Sequence, residues 1–69
     1  PSFPQIMQLS DRDIKAIKSI LDTARRKSDH LMAESAAGKI KSHLKIESDL
    51  AAFDFLDVLL KDYNFLSTN

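Results

Sequence analysis

Two pairs of ionisable side chains stand at spacings that chemistry can use. His30 and Glu34 lie four apart, on one face of a helix, an arrangement a metal ion accepts. The only other histidine, His43, is thirteen positions away, and there is no Cys to supply a thiolate. The pair therefore reads as ordinary surface pairing rather than a metal site. Asp54 and Asp57 share a helical face, as paired carboxylates in acid–base work can, but they flank no evident pocket and read as the wet side of a helix. Tyr63 fits a core-edge aromatic better than a catalytic acid. Neither a Gly-rich phosphate loop nor a nucleophile elbow occurs in the chain. The expectation is no enzyme, no metal and no cofactor.

A third group is basic. Arg25, Arg26, Lys27, Lys39, Lys41 and Lys45 face only Asp29 and Glu34 between residues 25 and 45, six against two, for a local charge of +4. From residue 46 onward Lys61 stands against Glu47, Asp49, Asp54, Asp57 and Asp62, giving −4. The six basic residues are candidates for binding phosphate, acid or nucleic acid. No aromatic residue lies between Leu21 and Leu50, so nothing there stacks on bases. A solvated charged surface is the simpler account.

What must position these groups is one small domain. The chain has 69 residues, with ten Lys/Arg against ten Asp/Glu, so it is neutral overall. Its hydrophobic content of 43% is too high for a disordered tail, and one Gly with two Pro points to helices. No apolar run approaches the roughly 18–20 residues of a membrane span. An intracellular, cytoplasmic, soluble protein is expected.

Residues 1–9 read as an extended arm, because Pro1 and Pro4 bias their neighbours toward extended backbone while Phe3, Ile6, Met7 and Leu9 give it apolar weight. A helix begins after Ser10, whose hydroxyl suits an N-cap, with Asp11 and Asp13 in the first turn and Leu9 stapling to Ile14. Its seam runs Ile14, Ile17, Leu21, Ala24, Ser28, Leu31, Ser35, flanked by Ile20, Met32 and Ala36. Gly38 reads as a helix stop, so that a second long helix runs from Lys39 to Tyr63. Ser48 is a plausible N-cap for a break before Asp49.

That second helix carries two apolar stripes: Ile46, Leu50, Phe53, Leu56, Leu60 and Tyr63 beside Ala52, Phe55, Leu59 and Leu66. Together they wrap about half of the helix, more than the narrow first seam covers. Folding at Gly38 leaves some five large side chains, among Leu50, Phe53, Leu56, Leu60 and Phe65, whose burial is worth ~2 kcal/mol each. A second copy, the Phe3–Leu9 arm folding over, a third helix produced by a break, or a different protein could cover them, the arm only in part. The expected architecture is all-α. It is a helical hairpin spanning residues 10–66, with a tail at 67–69, that dimerises into a four-helix bundle; a three-helix bundle is the alternative.

Two sets of residues resemble known families. Ile17-Lys18-Ser19-Ile20-Leu21, His30-Leu31-Met32 and Asp49-Leu50-Ala51-Ala52-Phe53 occur in the order of similar stretches in the C-terminal X domain of paramyxovirus phosphoproteins. That resemblance implies a three-helix bundle broken near Ser28 and Ser48, binding a nucleoprotein helix in a groove between the last two helices. Leu9-Ser10-Asp11-Arg12-Asp13 and Ile40-Lys41-Ser42-His43 resemble the opening and the recognition helix of LuxR-type helix-turn-helix domains, which implies DNA binding.

The residues themselves favour a non-enzymatic interaction or regulatory module. It pairs with its own copy or with a partner helix through Leu50, Phe53, Leu56, Leu60 and Tyr63. A nucleic-acid-binding regulator using the basic group is the alternative.

Overall fold

The computed structural model describes residues 1–68. A short 3-10 turn, Pro4–Gln8, leads into three α-helices: α1, Asp11–Lys27; α2, His30–Leu44; and α3, Ala52–Ser67. No strand occurs among the described residues. The all-α class is as expected, and the three-helix bundle replaces the hairpin. Asn69, from the expected tail, lies outside the described residues, and Ser67 closes α3.

The start of α1 follows its sequence signals. Ser10 Oγ accepts from the Asp13 amide at 3.1 Å, and the Asp13 carboxylate accepts from the Ser10 amide at 3.2 Å, a reciprocal capping box. Ile14, Ile17, Leu21 and Ala24 are the buried face, the first four positions of the expected seam. The seam then stops, because the chain turns at Ser28.

Ser28 adopts the left-handed conformation (φ 52°, ψ 40°), and the Asp29 amide donates back to the Ala24 carbonyl at 2.8 Å. Asp29 then caps α2, its carboxylate accepting from the Met32 amide at 3.0 Å. The same device ends α2. Lys45 is left-handed (φ 57°, ψ 47°), and the buried Ile46 donates to the Lys41 carbonyl at 2.9 Å. Both are Schellman-type stops made without glycine, each holding an L-residue where the backbone costs roughly 1 kcal/mol.

Gly38 sits inside α2 rather than at a stop. Its φ is not positive, and a Cβ added there meets nothing within 4 Å. The fold-back at Gly38, and the long helix from Lys39 to Tyr63 with it, are therefore corrected: two residues, Ser28 and Asp29, make the first turn, and residues 45–51 make the second. Ser48 does not cap α3. Its hydroxyl accepts from the Leu50 amide inside the connection, and Ala51 stands at the N-cap without a side-chain bond.

The arm is also corrected. It is not extended but wound into the 3-10 turn, whose three-residue period brings Phe3, Ile6 and Leu9 to one side. Ile6 is fully buried, and the Phe3 ring meets Phe55 at 5.1 Å between centroids. The Phe3 amide donates to the buried Asp62 carboxylate at 2.6 Å, joining residues 59 apart in sequence.

The broad apolar surface of α3 is divided between these neighbours. One stripe faces the α1 side, where Tyr63 reaches Asp11, Asp57 reaches Arg25, and Phe53 meets His30 at the head of α2. The other faces the arm and α2 through Phe55, which lies under the Lys41 ammonium at 5.0 Å and against Phe3. Phe55, Leu56 and Leu59 are fully enclosed by their own chain. Of the five side chains expected to need a second copy, Leu56 is fully buried and Phe53 and Leu60 are half-buried against the chain's own helices, while Leu50 and Phe65 stay 41% and 58% exposed. The hairpin whose leftover surface called for a four-helix bundle is replaced by three helices, so the dimer drawn from it does not fit the structure.

Candidate functional site

Apolar surface stays open along the seam between α1 and α2. α1 and α2 run antiparallel across the two-residue turn, and two depressions lie end to end between them. One, of ≈ 240 Å³, is lined by Leu9, Asp13, Ala16, Ile17, Lys39, Ile40 and His43. The other, of ≈ 350 Å³, is lined by Ile20, Met32, Ser35, Ala36 and Lys39. Lys39 belongs to both, so it stands midway along the groove.

The floor is apolar and its sides are low. Ala16 is exposed, and Leu9, Ile20, Met32, Ala36 and Ile40 are half-buried, packed on the core with one side toward solvent. Alanine at 16 and 36 keeps the sides of the groove low. From Met32 to His43 the groove runs along three turns of α2, about 16 Å at ~1.5 Å rise per residue. Its polar groups are Asp13, held in the α1 capping box, and Lys39, His43 and Ser35 on α2.

These residues came close to notice in the sequence. Ile20, Met32 and Ala36 flank the predicted seam of the first helix, Leu9 is its staple, and Ile40 lies in the helix-turn-helix-like stretch. The missing signal was the turn at Ser28, which sets Met32 and Ala36 on a separate helix opposite Ile20.

The expected partner-binding residues on α3 do not form one free surface. Leu56 is fully buried, Phe53, Leu60 and Tyr63 are half-buried, and only Leu50, 41% exposed, lies outside the packing. Leu50 borders a ≈ 300 Å³ depression between α2 and the start of α3, with Glu34, Gly38, Lys41 and Ala51. Other exposed large apolar residues, Met7, Leu31 and Phe65, stand on three different elements.

The six basic residues are spread out and in part engaged. Without the hairpin there is no closed tip to gather them. Arg25 pairs with Asp57 at 3.1 Å, Arg26 with Asp22 at 3.3 Å, and Lys41 donates to the Ser48 carbonyl at 3.3 Å while lying over Phe55. Lys27 ends α1, Lys39 lies in the groove, and Lys45 follows α2.

Among the chemistry-bearing pairs, His30 turns its ring edge to Phe53 (centroids 5.2 Å, 86°). Asp57 is bracketed by Lys61 at 2.9 Å and by Arg25, and those two cations hold its carboxyl below the ordinary carboxylate range. The Tyr63 hydroxyl donates to Asp11 at 2.9 Å, and that bond, with lesser help from burial and the Asp11 charge, raises its pKa. No three His, Cys, Asp or Glu side chains among the described residues are grouped to hold a metal ion. No helix among them is long and apolar enough to cross a membrane.

A family model described as Domain of unknown function (DUF8484) matches residues 1–69. The chain belongs to this family. The match takes in the arm as well as the three helices, which agrees with Phe3 and Ile6 being part of the core. No curated protein and no solved structure matches the chain.

Proposed function

We propose that this domain is a non-enzymatic protein-interaction module that takes up an amphipathic helix between α1 and α2. One observation carries the reading: Leu9, Ala16, Ile20, Met32, Ala36 and Ile40 line one continuous groove between α1 and α2, whereas the exposed Met7, Leu31, Leu50 and Phe65 stand apart on separate parts of the chain. Three turns of groove match the i, i+4, i+7 anchors of a helix laid in it. The groove is preferred to the expected surface of Leu50, Phe53, Leu56, Leu60 and Tyr63 because Leu56 is fully buried and Phe53, Leu60 and Tyr63 are half-buried against the chain's own helices.

The test is a titration of isotope-labelled protein with synthetic amphipathic helices, followed by amide chemical shifts. The expected result is perturbation centred on Ala16, Ile20, Ala36 and Ile40. Ala16→Arg, at an exposed position, should abolish it while leaving the helical content and thermal midpoint intact. Perturbations confined to Leu50, Gly38 and Ala51 would move the site to the α2–α3 depression, and their absence everywhere would end the reading.

A further inference from the structure

The groove has a charge pattern as well as a shape. Along its α2 edge stand Lys39, at the midpoint, and His43 one turn later; Ser35, one turn earlier, is neutral. Its one acid, Asp13, sits at the α1 end, where its carboxylate accepts from the Ser10 amide at 3.2 Å and keeps its charge, so the acidic and basic groups stand at different places along the groove. The α1 edge beyond Asp13, Ala16 and Ile20, carries no charge. Lys39 has no acidic partner among the ion pairs of the described residues, unlike Arg25, Arg26 and Lys61.

We infer that the occupant is an acidic-flanked amphipathic helix from another protein, its apolar stripe on the Ala16–Ala36 floor and its Asp or Glu side chains along the Lys39–His43 edge. This rests on the reading of the groove as a helix-docking site and names the partner's chemistry. Charge complementarity favours it, since a cation at the middle of an apolar groove attracts acidic flanks and repels basic ones. A second copy of this chain fits poorly. A two-fold axis through the middle of the groove brings Lys39 onto its own copy, a like-charge contact. Nor does the chain present such a helix itself: Phe55, Leu56 and Leu59 of α3 are buried, and its Asp57 is already paired with Arg25 and Lys61.

Two synthetic helices with one common Leu/Ile stripe, flanked by Glu in one and by Lys in the other, provide the test, read by fluorescence anisotropy at low and high salt. The Glu-flanked peptide should bind the full chain about threefold tighter, or more, at low salt, with the margin shrinking as salt rises. Lys39→Glu, a surface change, should reverse the preference, and Ala16→Arg should remove binding of both. Equal affinities for the two peptides, or a preference untouched by Lys39→Glu, would overturn the acidic partner and leave the docking groove standing. If neither peptide binds, the groove reading itself fails. Concentration-dependent dimerisation abolished by Ala16→Arg would assign the groove to a second copy and overturn the inference.

Discussion

The α3 side and the α1–α2 side of this bundle are built from different materials. Against α3 the chain sets Phe3, Ile6, Phe55, Leu56 and Leu59, all buried, and closes the surface with its own N-terminal arm. Between α1 and α2 it sets Ala16, Ala36 and half-exposed Ile20, Met32 and Ile40, and nothing lies over them. Both sides are apolar, but the large residues at the centre of the α3 side are fully buried, while those between α1 and α2 stay half-buried. Large interlocking side chains pin a small domain together, whereas small residues between two helices leave a trough of fixed shape.

The most forceful way to break this contrast is to truncate one residue from each side. Phe55→Ala opens a cavity in the sealed core and should cost about 3–5 kcal/mol, enough to leave the domain barely folded. Ile20→Ala, at the half-buried groove, should cost about 1–2 kcal/mol. Urea denaturation measures both, and equal losses would mean that the two sides do not differ. Next in size is the arm. Asp62→Ala leaves the Phe3 amide without its buried acceptor and should cost about 1–3 kcal/mol, read as a lower thermal midpoint and earlier proteolytic cutting near Phe3.

A smaller change has the opposite sign. Gly38→Ala adds a methyl group into open space inside a helix and should stabilise the domain by about 0.5–1 kcal/mol. Destabilisation would instead place a turn at Gly38 and restore the hairpin. The smallest effect is acidic. Because Asp57 titrates below its unfolded value, its pairs with Lys61 and Arg25 contribute fully above about pH 4 and fade as the pH falls through that lowered value. Both pairs are largely exposed, so the contribution is a few tenths of a kcal/mol. Asp57→Asn should flatten the acid limb of the stability curve by that amount.

Much of α1 was legible before any coordinates. Ser10, Asp13, Leu9 and Ile14 form a local signal, and local signals survive folding. The breadth of apolar residues from Leu50 to Leu66 was also legible, as a demand for several neighbours. The arm and a third helix were among the candidates, but the choice between them and a second copy was not legible, because Phe3 and Asp62 stand 59 residues apart and no periodicity links them. The helix ends were hidden for a different reason: Ser28 and Lys45 take up a conformation in which glycine is the usual marker, and the one glycine lay elsewhere. An error in the turns then carried into the site. A straight first helix puts Met32 and Ala36 in line with Ile20, whereas the real turn sets them across a trough from it.

The hydrogen bond from Phe3 to Asp62 has a kinetic consequence. For a flexible chain, bringing together points 59 residues apart costs about 3–4 kcal/mol of entropy, and only the assembled helices hold Asp62 and Phe55 ready to meet the arm. The arm is therefore expected to latch late in folding, after the helices have met, and substitutions at Phe3 should speed unfolding more than they slow folding.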